Sequence, residues 1–114
     1  VMQWRNGDVY SGNWKNDRQN GHGKLTKRNG DVYEGEFKDG VLDGQVIIHF
    51  SDGSKFRGTF RDGKRNGTAI EVDKDGKRFE GTYKDDLRDG RYVEKDRNGN
   101  IVLQGMYILG NRVQ

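Results

Sequence analysis

"GDVYEGEF", Gly30 to Phe37, reads as a short strand with a glycine where a strand packs best. Tyr33 and Phe37 stand four residues apart, with Gly35 between them. On a strand, residues at i, i+2 and i+4 share one face, so the glycine points the same way as the two rings. Glycine in a strand interior costs backbone entropy and offers nothing to pack, so it is placed here by position. The arrangement recurs as "GDVYSGNW" from Gly7 to Trp14, "GSKFRGTF" from Gly53 to Phe60 and "GKRFEGTY" from Gly76 to Tyr83.

Working outward from these stretches, the leading aromatic returns every 23 residues as Tyr10, Tyr33, Phe56 and Phe79, then weakens to Leu103 after 24. Its partner is Trp14, Phe37, Phe60, Tyr83 and Tyr107, and the glycine between them is Gly12, Gly35, Gly58, Gly81 and Gly105. Three further columns hold glycine: Gly7, Gly30, Gly53, Gly76 and Gly99; Gly40, Gly63 and Gly110; and Gly21, Gly44, Gly67 and Gly90. Together they account for 17 of the 18 glycines, so the repeat and not the composition is the guide to this chain. Composition alone, 30% hydrophobic against 34% charged, would place the chain near the disordered class. A stack in which each aromatic serves two neighbours makes an ordered fold affordable at that content.

Each unit reads as a β-hairpin. The aromatic-Gly-aromatic strand comes first; the second runs from Gly21, Gly44, Gly67 or Gly90 towards the next turn, as in "GQVIIHF". The turns Asn6-Gly7, Asn29-Gly30, Asp52-Gly53, Asp75-Gly76 and Asn98-Gly99 read as tight turns with positive φ, and "KDGVLDG", Lys38 to Gly44, as the loop inside a unit. No apolar stretch has a 3.6-residue period, so helices are not expected. The expectation is an all-β, elongated antiparallel stack of about nine or ten strands, each hairpin adding about 9.6 Å. The glycine between the aromatics should open a slot for a ring from a neighbouring strand or unit. Residues 1–9 read as the second half of a truncated unit. Residues 10–32, 33–55, 56–78 and 79–102 read as full units, and 103–114 as the first half of another. Half-units at both ends suggest a fragment of a longer protein and end-to-end self-association.

The aromatic-x-Gly-x-aromatic-x-x-Gly-x-x-x-Gly pattern, in "YSGNWKNDRQNGHG", "YEGEFKDGVLDGQV", "FRGTFRDGKRNGTA" and "FEGTYKDDLRDGRY", resembles the MORN (membrane occupation and recognition nexus) repeat family over essentially the whole chain. Departures are the second closely spaced glycine, kept only as Gly23 and replaced by Val46, Ala69 and Tyr92, and the tryptophan, kept only as Trp14. The resemblance implies a ribbon of antiparallel hairpins with an aromatic-lined groove. It also implies an adaptor, anchoring or regulatory role, often beside a catalytic domain such as a lysine methyltransferase or a lipid kinase; the family name implies lipid binding.

For chemistry the chain offers little. With no Cys it has no disulfides and no cysteine-ligated zinc. His22, read in a loop, and His49, read in a second strand, are not clustered for a metal or a triad. "DKDG" at Asp73 to Gly76 opens like a calcium loop but lacks its distal glutamate, and reads as a turn. Neither a metal nor a cofactor is expected, and the chain is not expected to be an enzyme. A net charge of +3 does not argue for nucleic acid. No run is long enough for a membrane helix and no signal-peptide pattern opens the chain; a cytoplasmic location is the expectation.

The functional expectation is a non-catalytic scaffold that binds a protein or peptide partner in a groove lined by Tyr10, Trp14, Tyr33, Phe37, Phe56, Phe60, Phe79 and Tyr83. The alternatives are peripheral binding to acidic membrane lipid, contacted by Lys24, Lys27 and Arg28 in the basic N-terminal third, or regulation of an enzyme domain outside this segment.

Overall fold

The computed structural model describes residues 2–113, and every regular element in them is a strand. Twelve strands form one antiparallel sheet in chain order. Four hairpins make its body: β2 (Val9–Lys15) with β3 (Arg18–Thr26), β4 (Val32–Lys38) with β5 (Val41–His49), β6 (Lys55–Arg61) with β7 (Lys64–Val72), and β8 (Arg78–Lys84) with β9 (Leu87–Arg88) and β10 (Gly90–Lys95). They are flanked by β1 (Met2–Gln3) on one side and by β11 (Ile101–Ile108) with β12 (Asn111–Arg112) on the other. The count exceeds the nine or ten strands expected because β1 and β12 are two-residue pieces and the fourth second strand is split into β9 and β10. Strands about 4.8 Å apart give about 48 Å over the ten spacings of the ordered path, close to the 45 Å long axis. The ribbon is nearly straight.

The two kinds of turn exchange the roles that the sequence suggests. Inside a unit the connection is only two residues: Asp39 and Gly40, at φ 49° and 88°, make a type I′ turn. Most of "KDGVLDG" is therefore strand. Between units, the Lys27 amide donates to the Asp31 carbonyl at 2.7 Å and the Gly30 amide to the Lys27 carbonyl at 2.9 Å. Of the Asn29-Gly30 pair only the glycine has positive φ, which marks a three-residue loop ending in a glycine bulge.

Gly90 opens β10, but Gly21, Gly44 and Gly67 do not start their second strands. Gly35 pairs with Val46 and Phe37 with Leu42, so Glu36 alone opposes Asp43, Gly44 and Gln45. Gly44, at φ 117°, occupies this bulge, and a bulge bends and twists its strand. The same offset returns between Gly12 and Trp14 and between Gly58 and Phe60. His22 lies in β3, correcting its placement in a loop.

The bend gathers the rings on one face. Every leading aromatic except Tyr33 meets its own partner edge-on, as in Tyr10–Trp14 at 5.3 Å and Phe56–Phe60 at 5.7 Å between centroids. It also meets the partner aromatic of the next unit: Tyr10–Phe37 at 5.3 Å, Phe56–Tyr83 at 6.0 Å and Phe79–Tyr107 at 6.2 Å. Such pairs contribute about 0.5–1.5 kcal/mol each beyond their burial. Apart from the exposed Trp14 and the partly buried Tyr107, these rings form the core of the ribbon with Val46, Ile48, Ala69 and Tyr92.

The glycine slot differs from the expectation in what fills it. A Cβ on Gly58 would lie 3.0 Å from Cζ of Phe56, and one on Gly81 would lie 2.8 Å from Cζ of Phe79. The intruding ring belongs to the same strand, two residues earlier; at Gly58 the Thr68 carbonyl oxygen stands equally close, at 2.9 Å. At Gly35 the obstruction is backbone, the Gln45 carbonyl oxygen and the Val46 Cα at 2.8 Å. Gly35 thus meets two backbone atoms of its paired strand, at φ 158°, where Gly58 meets one and a ring that can tilt away. Gly35→Ala is therefore expected to destabilise the chain by about 2–3 kcal/mol and Gly58→Ala by about 1 kcal/mol. Chemical denaturation of the two variants checks this; equal losses would contradict it.

Candidate functional site

The alternation along each strand gives the sheet two faces. The ring face carries Tyr33, Gly35 and Phe37 of β4 and their counterparts; the reverse face carries Glu34 and Glu36. Of the eight aromatics expected to line a groove, Tyr10, Phe37, Phe56, Phe60, Phe79 and Tyr83 are between 0% and 7% exposed and constitute the core. Trp14 is exposed and Tyr33 half-buried.

Tyr33 stands out for a local reason. Opposite Gly12, Gly58 and Gly81 the second strand presents Gly23, Ala69 and Tyr92, and the leading ring lies over that position or stacks beside it. Tyr92 stacks on Phe79 at 5.7 Å. Opposite Gly35 the residue is Val46, 1% exposed, whose Cγ2 comes within 3.1 Å of where a Gly35 Cβ would be. The valine takes the space a leading ring occupies in the other units. Tyr33 is partly buried against the core's margin, as Leu42 and Phe50 are, and makes no ring–ring contact among the described residues.

What covers the rings changes along the ribbon. At one position per unit, next to the tip turn, the second strand supplies Gln19, Leu42, Arg65 and Arg88. The Arg65 guanidinium lies 4.6 Å from the Phe56 centroid, and that of Arg88 lies 3.7 Å from Phe79. Arg88 also donates to the hydroxyls of Tyr83 at 3.3 Å and Tyr107 at 3.2 Å and pairs with Glu71 at 3.2 Å. The Tyr83 hydroxyl donates to the same Glu71 carboxylate at 2.5 Å. Burial opposes the charge on Arg88, but hydrogen bonds to the two tyrosines and the field of Glu71 outweigh it and raise its pKa. This position of the ring face thus carries no charge over the first two units and is capped by arginine over the next two. No sequence pattern had singled out Arg65, Arg88 or Glu71; their 23-residue spacing below the aromatic columns was the available signal.

The three basic residues considered for acidic lipid do not share one surface. Lys24 is exposed on the reverse face, opposite Glu34. Lys27 turns the other way, 3.6 Å from an Asp8 oxygen and 6.0 Å from the Tyr33 centroid. Arg28 lies in the loop between units, its stem against Gly7. His22 and His49 are exposed on different hairpins, and no group of His, Asp and Glu among the described residues is placed to hold a metal ion. Asp73 serves its turn, accepting from the amides of Asp75 and Lys77, both at 2.9 Å. No helix among the described residues is long and apolar enough to cross a membrane.

Arg88→Met would leave Glu71 half-buried without its cation. Discounted for solvent access, the expected loss is about 1–2 kcal/mol in a denaturation midpoint, and Arg88→Lys should recover little because a point charge cannot both stack and reach three partners. Burial, then the hydrogen bond to Glu71, pushes the Tyr83 hydroxyl above its ordinary 10.0. The folded chain therefore holds that proton more tightly than the unfolded chain. The stability gained is whole below pH 10.0 and is lost as pH rises towards the folded value. Between about pH 9.5 and 11 the wild type is expected to lose more stability than Tyr83→Phe, measured by denaturant titration at each pH.

Comparison with known families gives this geometry its relatives. A profile of the MORN repeat matches four consecutive times, at residues 10–32, 33–55, 56–78 and 79–101. No curated protein matches the chain. The matched registers begin on Tyr10, Tyr33, Phe56 and Phe79, the leading aromatics of the four hairpins, and the chain belongs to the MORN repeat family.

Proposed function

We propose that the chain is a non-catalytic scaffold for protein–protein interaction, and that its partner engages the ring face around Tyr33. The observation that carries this reading is the displacement of Tyr33 by Val46. Unlike the six buried rings of the row, Tyr33 keeps part of its surface accessible, with Lys27 Nζ 6.0 Å from its centroid and none of the arginines that cover the later units. Tyrosine combines a large apolar area with a hydroxyl handle and loses little side-chain entropy on binding, which is why it recurs among interface anchors. Trp14, exposed one unit earlier, extends the same face.

Membership of the family supports a binding role over a catalytic one, and attachment to an enzyme outside this segment is compatible with it. A lipid reading would need basic side chains converging on one surface, and Lys24 stands on the face opposite Lys27.

Peptides selected from a random display library on the wild-type chain test the proposal. They are expected to carry apolar anchors and to bind Tyr33→Ala at least about thirtyfold more weakly, the loss typical of a central anchor. The melting temperature of Tyr33→Ala should stay close to that of the wild type, whereas Phe56→Ala should lose about 3–5 kcal/mol of stability. Selected peptides indifferent to Tyr33→Ala would overturn the reading.

A further inference from the structure

The reverse face holds a second surface. Above the backbone of Gly35, Gly58 and Gly81 runs a trough between two rows of side chains. One row, followed strand by strand through the pairing register, is Glu34, Ile47, Arg57, Ile70, Glu80 and Val93. The other includes Gln45, Thr68 and Thr82. The trough shows as a depression of about 410 Å³ bounded by Glu34, Ile47 and Arg57, and another of about 540 Å³ bounded by Arg57, Ile70 and Glu80. They share Gln45 and Arg57 and so form one channel across the strands.

The chemistry of the channel repeats with the hairpins. First strands contribute a charge, in the order Glu34, Arg57, Glu80; second strands contribute an aliphatic residue, Ile47, Ile70, Val93. Glu80 is already matched by Arg78 at 3.4 Å and Lys95 at 3.2 Å. Arg57 is exposed, and neither it nor Glu34 has an ion-pair partner among the described residues. Ile70 is 39% exposed in the channel wall.

Spacing decides what conformation such a row can follow. Equivalent residues lie two strands apart, about 9.6 Å. A polyproline II segment repeats every three residues, about 9.3 Å, and stays in register over several units. An α-helix repeats every two turns, about 10.8 Å, and slips by more than an ångström per unit. A polyproline II backbone also makes no internal hydrogen bonds, so its carbonyls are free for the Thr68 hydroxyl and for the Nε2 proton of Gln45 that is not given to Thr59.

We infer that the reverse-face channel binds a polypeptide segment in the polyproline II conformation that carries a basic and an acidic residue three positions apart, opposite Glu34 and Arg57, with aliphatic residues beside them against Ile47 and Ile70. This site is separate from the ring face and does not depend on Tyr33.

The probe is a fluorescently labelled, proline-rich peptide carrying lysine and glutamate three positions apart with leucine beside each, used in both sequence directions. Fluorescence anisotropy with the full chain is expected to show saturable binding by one of them. Arg57→Glu should weaken that binding at least about tenfold, and replacing the peptide's glutamate with lysine should restore it to within about threefold, the signature of a direct charge contact. Ile70→Asp should also weaken it, while Tyr33→Ala leaves it unchanged; circular dichroism establishes that each variant is folded. Absence of saturation at about 1 mM peptide, indifference to Arg57→Glu, or tighter binding of a helical peptide with the same charges seven positions apart would each overturn the inference.

Discussion

The ribbon depends on how closely a ring can approach a bare backbone. A single sheet has no second layer to bury its apolar face, so the aromatics must lie down along the sheet and cover one another. That is feasible only where the strand beneath them carries no Cβ. Gly58 and Gly81 provide the clearance under Phe56 and Phe79, and at Gly35 the paired strand itself uses the space. The bulge of the Gly44 column completes the device by bending the hairpins, and the partner aromatics Phe37, Tyr83 and Tyr107 reach the leading rings of the preceding units.

Coupling between units is local and comes in three forms. Ring contacts join the first hairpin to the second, the third to the fourth and the fourth to β11, while Val46 and Ile48 join the second to the core of the third. At the tip turns a backbone amide of one unit donates to a carbonyl of the unit before it, Gly40 to Gln19 at 3.0 Å and Gly63 to Leu42 at 2.8 Å. At the opposite edge a carboxylate reaches into the next loop, Asp8 accepting from the Arg28 amide at 2.9 Å and Asp31 from that of Ser51 at 2.7 Å. Stability of such an array is a sum of unit and neighbour terms. A local change such as Val46 can therefore release Tyr33 without disturbing Tyr10 or Phe56.

The hairpin order, the strand faces and the repeat register were legible in the sequence because they follow from periods of 2 and 23. Turn types were not, because Asn29-Gly30 and Asp39-Gly40 carry the same dipeptide chemistry and differ only in how many residues the flanking strands leave unpaired. The bulge was hidden for a related reason: Gly44 is a turn residue by composition and a strand residue by pairing. For the eight aromatics expected to line a groove, the shared face was legible but the exposure was not. Whether an aromatic is core or surface depended on the residue facing the glycine across the pair, and that contact became visible only once β4 and β5 were in register. The guanidinium caps depended on a contact across strands in the same way.

Strands that run across the ribbon give it a mechanical direction. A pull along the 45 Å axis acts parallel to the interstrand hydrogen bonds and peels strands apart one after another instead of shearing whole ladders at once. Such a geometry yields at low tension and in steps of one hairpin. Chain length is released unit by unit while the remaining hairpins keep their rings covered, so the array behaves as an extensible tether and not as a rigid strut.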